Sequence, residues 1–364
     1  MSAVIDLLRE LVAIPSVSGN EEVCRDAVAD WLNARGLDAQ RHGRNVLAVL
    51  EGRRPGRGLV LCSHYDVVPV GPGWTENPWS GELRDGKVLG RGSNDAKSSI
   101  AAMMVAAERV VSRGFDGRLV LALVCDEETG GEGIEAIAHE LPEAHAAVVG
   151  EPTGLDVCPG QRGLFRAKLV AHGRACHASR PWEGENALQI AAQDVVAVHA
   201  LPLGGEDPLL GPPTLQATVI AGGTRSNVIP GEVSVELDGR PTPGCDNEVM
   251  EAKLRAAVQS DVLVSSSRFT PVHTPDDHEI VQRALAASIT GKLRGFGGVS
   301  DLFHLRHLPG VVMGPGTSKA SHAPDEWVAV DQVEAAVEAY ASIADGFLNA
   351  SATTAPTNNK EASA

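Results

Sequence analysis

Residues 118–131 read RLVLALVCDEETGG. Leu119 to Val124 are apolar without alternation, the pattern of a strand covered on both faces rather than one. Three carboxylates, Asp126, Glu127 and Glu128, follow at once, and Gly130 and Gly131 end the run. A buried strand that breaks into charge places polar groups at a strand's carboxyl end, where open α/β sheets carry their ligand sites. Upstream, GLVLCSHYDVVP (58–69) repeats the design, an apolar strand ending in His64 and Asp66. Between the two, Ala96 to Ser112 reads as a helix. Near the start, Val4, Leu7, Leu8, Leu11 and Val12 recur at helical spacing behind a Ser2 cap until Pro15, and a second helix spans Glu21 to Arg35. Strands alternating with helices predict an α/β sheet with covering helices.

After Gly160 the order changes to strand (Leu164 to Ala171), helix (Glu185 to Ala200), two strands (Thr214 to Ala221, Glu232 to Asp238), helix (Asn247 to Ser260) and strand (Val262 to Thr270). This βαββαβ order predicts an inserted ferredoxin-like domain. Helical and strand-like segments return from His278 to Leu348. The expected organisation is therefore a discontinuous α/β domain over 1–160 and 274–350, an insertion over 161–273, and a disordered tail over 351–364, where apolar periodicity ends.

The chain has 364 residues, 43% apolar and 21% charged, enough for substantial cores. A formal charge of -16 is the wrong sign for nucleic acid. The apolar run Ile100 to Ala107 is too short for a membrane span, and residues 1–6 lack a basic flank and a secretory apolar core, so a cytoplasmic protein is expected. The six cysteines form no C-x-x-C pair and read as reduced thiols.

Five segments carry residues suited to chemistry, each with a plain structural alternative. In SHYDVVP (63–69), His64 could ligate a metal with Asp66 orienting its ring, or both could be a satisfied polar strand end. In GRGSNDAK (90–97), Asp95 could be a ligand or a helix N-cap. The run Asp126-Glu127-Glu128 could be a solvated acidic face, but like charges at a buried strand end call for a cation. Glu151 in GEPT (150–153) and His322 in SHAPDE (321–326) complete the set. Two imidazoles and three carboxylates, His64, Asp95, Glu128, Glu151 and His322, suit Zn²⁺, with Co²⁺ or Mn²⁺ as substitutes. No nucleotide-binding glycine fingerprint and no G-x-S-x-G elbow occurs.

These five motifs, in this order and flanking a βαββαβ insertion, resemble the metal-dependent aminoacylase and carboxypeptidase family that includes acetylornithine deacetylase, succinyl-diaminopimelate desuccinylase and glutamate carboxypeptidase. The resemblance covers residues 1 to about 350. It implies a zinc-peptidase-like catalytic domain with the insertion as lid and dimerisation domain. It also implies two Zn²⁺ per chain bridged by Asp95, with His64 and Glu151 completing one ligand set and Glu128 and His322 the other. Glu127 would be the general base and Asp66 the partner of His64.

In the insertion, the resemblance makes His177 of ACHASRP (175–181) an oxyanion donor reaching across a homodimer. It places Arg225, Asn227 and Arg240 on the substrate, although either arginine could instead be a surface ion-pair partner. Two positions depart from the family pattern: Ser98 and Ser99 follow Lys97 where glycine is usual, and Asp238-Gly239-Arg240 carries a glycine inside its strand. The implied activity is hydrolysis of an N-acyl amino acid, with N-acetylornithine the first choice. A desuccinylase or a di- or carboxypeptidase is the alternative, and a catalytically silent dimeric binding protein the remote one.

Overall fold

The computed structural model describes residues 2–350, which separate into two compact units. The first comprises the residues up to Val157, Asp276–Lys292 and those from His307 onward; the second comprises Cys158–Pro275 and Leu293–Arg306. The last segment was expected in the catalytic domain. It joins the second unit because Leu293–Phe296 pairs with the strand Val157–Gln161, and because the Phe303 and His304 rings pack edge-on against Phe269. The expected disordered tail at 351–364 lies outside the described residues.

In the first unit the sheet runs in the order Ala39–His42, Asn45–Glu51, Arg118–Val124, Gly58–His64, Ala146–Val149, Gly310–Val312. The last four strands are parallel to one another, and Asn45–Glu51 is antiparallel to its neighbours. Gly58–His64 is buried along its whole length, as unalternating apolar sequence requires. The helices Lys97–Arg113 and Val330–Leu348 pack on each other and on this strand, with Ala3–Val12 against both. Lys97 to Ala107 are buried without a break, so this stretch of the helix is covered all round. No helix among the described residues is long and apolar enough to cross a membrane.

The second unit has the βαββαβ order. Its four-stranded antiparallel sheet runs Thr214–Gly222, Glu232–Arg240, Phe165–His172, Asp261–Ser266. Alternation sends Phe165, Ala167, Leu169 and Ala171, with Val233, Val235 and Leu237, into one core together with Ala187, Ala191, Met250 and Leu254. The two covering helices, Ala187–Ala200 and Asn247–Ala257, are N-capped by the side chains of Asn186 and Asp246.

Candidate metal centre

The chain leaves the strand Gly58–His64 toward one side of the sheet and its neighbour Ala146–Val149 toward the other. Arg118–Val124 lies beyond the first and Gly310–Val312 beyond the second, so the carboxyl ends of these two adjacent strands flank a topological switch point. His64 is the last residue of Gly58–His64, Glu127 and Glu128 follow Arg118–Val124, and Glu151 follows Ala146–Val149. The chain leaves Arg118–Val124 through Asp126 in the left-handed region (φ 58°) and then turns through a short 3-10 segment, Glu127–Thr129. This turn separates the two glutamates. Its anchor is Arg44, which joins Glu21 (2.6 Å) and Asp126 (2.9 Å), while Tyr65 Oη donates to the Arg44 carbonyl.

Two donor sets result, with Asp95 common to both. His64, Asp95 and Glu151 place one ligand atom each within 4.8 Å of one another, and so do Asp95, Glu128 and His322. Asp95 Oδ1 is 3.4 Å from His64 Nε2 and Oδ2 is 3.6 Å from His322 Nε2. Glu151 Oε1 lies 3.7 Å from His64 Nε2, and Glu128 Oε1 lies 2.9 Å from His322 Nε2. Glu127 Oε2 stands 4.0 Å from His64 Nε2. The N-cap reading of Asp95 is corrected, since the helix Lys97–Arg113 begins after Ala96 and has no side-chain cap. The Asp95 carboxylate faces the donor sets instead.

Carboxylates surround both imidazoles. Burial opposes a charged His64, yet the neighbouring carboxylates of Asp66, Asp95, Glu127 and Glu151 outweigh it, holding its pKa well above the ordinary value. The hydrogen bond to Glu128 likewise raises His322. His64 Nδ1 faces Asp66, 3.1 Å from its carbonyl and 3.3 Å from its carboxylate. His64 Nε2 is buried and has no hydrogen-bond partner among the described residues. An imidazole nitrogen directed at carboxylates, with its other nitrogen held by a carboxylate, fits a divalent ion of the zinc type.

Glu326 was missed as an individual residue, although it closes the SHAPDE motif. Its buried carboxylate accepts the backbone N–H groups of Gly92, Asn94 and Asp95 and pairs with Arg91. Burial, aided by the charge of Asp95, pushes its pKa up to about 7 against the opposing effect of Arg91 and the amides. Gly92 sits at φ 82°, and a Cβ there would meet Val67 at 2.6 Å, so the loop requires glycine. Ser98, where the family usually has glycine, donates its hydroxyl to the Asn94 carbonyl.

The remaining expected residues lie in the second unit. His177, in the two-residue strand Cys176–His177, is exposed, and its Nδ1 lies 2.7 Å from Ser179 Oγ. Arg225 is exposed, and Asn227 accepts from Ala178 N–H through its carbonyl. Arg240 donates to both oxygens of Asp238, the ion pair that its sequence also allowed.

Residues 60–346 match the model of peptidase family M20/M25/M40. The succinyl-diaminopimelate desuccinylase of Stenotrophomonas maltophilia (strain K279a) is 33% identical over 96% of this chain and 100% of its own length. The chain belongs to peptidase family M20/M25/M40. The desuccinylase of Xanthomonas euvesicatoria pv. vesicatoria (strain 85-10) is 31% identical over the same shares. Among solved structures of the fold, aminopeptidase PepT from Bacillus cereus matches with a TM-score of 0.79 at 22% identity, over 93% of this chain and 96% of that one. A tripeptidase from Staphylococcus aureus matches with a TM-score of 0.77, the same identity and the same coverage. The family resemblance read from the five motifs is therefore correct, and this M20 family member is a metallopeptidase-type hydrolase of linear amides. The named relatives are desuccinylases, the alternative reading of the sequence, and not acetylornithine deacetylases.

Proposed function

We propose that this M20 family enzyme removes the acyl group from an N-acyl amino acid, with N-succinyl-diaminopimelate its first candidate substrate and N-acetylornithine its second. The observation that carries the hydrolytic reading is Asp95, which presents one carboxylate oxygen to each donor set. The succinyl preference rests on the full-length relatives that bear that name.

His64, Asp95 and Glu151 would hold one divalent ion, and Asp95, Glu128 and His322 the other, with Zn²⁺ favoured by the mixed imidazole and carboxylate donors. Bound there, such ions supply Lewis-acid polarisation and acidify water. Glu127 stands at the edge of the first set and its side chain is 14% exposed, so it can take a proton from incoming water and return it to the departing amine. Asp66 keeps the His64 ring turned so that Nε2 faces the carboxylates. His177 as oxyanion donor and Arg225, Asn227 and Arg240 as substrate contacts are carried by the family resemblance. A succinyl substrate adds a carboxylate, for which a guanidinium is the fitting donor.

We also place the enzyme in solution as a homodimer joined through the second unit. The strand Thr214–Gly222 is an edge of its sheet, with Val219 and Ile220 half exposed and Val196 and Leu188 exposed on the helix Ala187–Ala200. An apolar edge strand of this kind invites pairing, and a second copy supplies the same edge. No disulfide joins the six cysteines, which suits a reducing compartment such as the cytoplasm.

The test is amine release from N-succinyl-diaminopimelate, N-acetylornithine and acyl dipeptides by Zn²⁺-loaded protein. Turnover of the succinyl compound above the others is expected. Faster acetylornithine cleavage would reverse the substrate order, and no metal uptake at all would remove the hydrolytic reading.

A further inference from the structure

We infer that the buried pair Arg91–Glu326 is a positioning device that preforms the donor set Asp95, Glu128 and His322 by fixing the backbone beneath two of its three residues. The inference rests on the metal-binding reading above and extends it to residues outside the ligand set.

Glu326 Oε1 accepts three backbone N–H groups from one loop, Gly92 at 3.0 Å, Asn94 at 3.0 Å and Asp95 at 3.1 Å. Its other oxygen takes Arg91 Nη1 at 2.5 Å. The Glu326 carbonyl accepts Gly90 N–H at 2.9 Å, so the same residue grips the loop at both ends. Arg91 then reaches the opposite wall, donating Nη2 to the His322 carbonyl at 3.3 Å. The Asp95 main chain and the His322 main chain are thus tied through one ion pair, with side chains 0% and 3% exposed.

His322 is itself held in the left-handed region, at φ 63°. A non-glycine residue there needs its surroundings to keep it in place. Asn94 adds a second tie across the same gap, donating to the Thr317 carbonyl and to Ser321 Oγ. His64 and Glu151, by contrast, are carried on or next to sheet strands and need no such clamp. Loss of the pair should therefore weaken the His322 set more than the His64 set. Removing outer partners of metal ligands typically costs about 10- to 100-fold in affinity.

The experiment is a titration of full-length apo-protein with Co²⁺, followed by visible absorption and calorimetry. The variant His322→Ala identifies which binding step belongs to the His322 set. In Glu326→Gln, that step is expected to weaken about 10- to 100-fold while the other changes by less than about threefold. Asp325→Asn is the neighbouring control, because the Asp325 carboxylate binds Thr75 and Glu76 rather than the loop 90–95, and both steps should stay as in wild type. If Glu326→Gln does not fold, Arg91→Lys keeps the charge but loses the His322 contact, and the same step should weaken. Equal weakening of both steps, or none in a folded variant, overturns the inference. Wild-type protein that binds no Co²⁺ would instead overturn the metal reading beneath it.

Discussion

His64 Nδ1 lies 3.3 Å from the Asp66 carboxylate, and the same carboxylate accepts the backbone N–H groups of Glu127 at 3.1 Å and Glu128 at 3.2 Å. One side chain therefore faces an imidazole and seats the turn that carries two glutamates of the candidate site. Ser18 Oγ supplies a further hydrogen bond at 2.7 Å. Burial works against ionisation of Asp66, but these partners hold its pKa below the ordinary value.

Asp66→Asn keeps the shape and removes the charge. Metal affinity is expected to fall about 10- to 100-fold, measured by dialysis against buffered Zn²⁺. Unaltered affinity would reduce Asp66 to a purely structural part.

Glu127→Gln should lower kcat by about 10²- to 10⁴-fold, the range for loss of a general base, with both metals still bound. Metal analysis alongside steady-state kinetics separates the two effects. A variant that loses a metal ion as well would assign Glu127 to the ligands.

Replacing His177 with alanine is expected to reduce kcat by about 100-fold or more without changing metal content, as for removal of an oxyanion donor. An unchanged rate would dismiss its role in the transition state.

Lys97 is fully buried and donates to the Leu11 and Ile14 carbonyls, tying the end of the first helix to the start of Lys97–Arg113. Lys97→Met fills similar volume but removes the ammonium donor from both carbonyls, of which Leu11 keeps the Ile14 N–H, so stability should drop by about 1–3 kcal/mol. Urea unfolding monitored by circular dichroism measures it.

Glu279 gives a pH-dependent contribution. Burial raises its pKa, but Arg57 at 2.6 Å and Arg283 at 3.2 Å outweigh burial and hold it below the ordinary value. A carboxylate with a depressed folded pKa adds stability above its unfolded pKa and loses it as the pH falls through the folded one. Glu279→Gln should therefore cost less than about 1 kcal/mol near pH 7, since the groups are partly exposed. The difference from wild type should vanish in acid, below the ordinary carboxylate range. A gap that widens in acid would contradict the assignment.

The strand ends were legible because buried parallel strands are apolar throughout and the change to charge is abrupt. His64, Glu127, Glu128 and Glu151 each stand at or just beyond such a break. The βαββαβ order of the second unit was legible as alternating strand and helix segments, such as the strand Phe165–His172 with its period-two burial. Leu293–Arg306 was misplaced because strand pairing and ring packing over long sequence separations leave no local mark.

Local sequence determined which candidate residues stand at strand ends and which strands present them, because periodicity and residue type act over a few positions. Only the tertiary structure decided that Asp95 faces two donor sets rather than capping a helix, and that Glu326 holds the loop beneath it. Those outcomes depend on burial and hydrogen bonds between segments more than 200 residues apart, where chain folding alone brings the partners together.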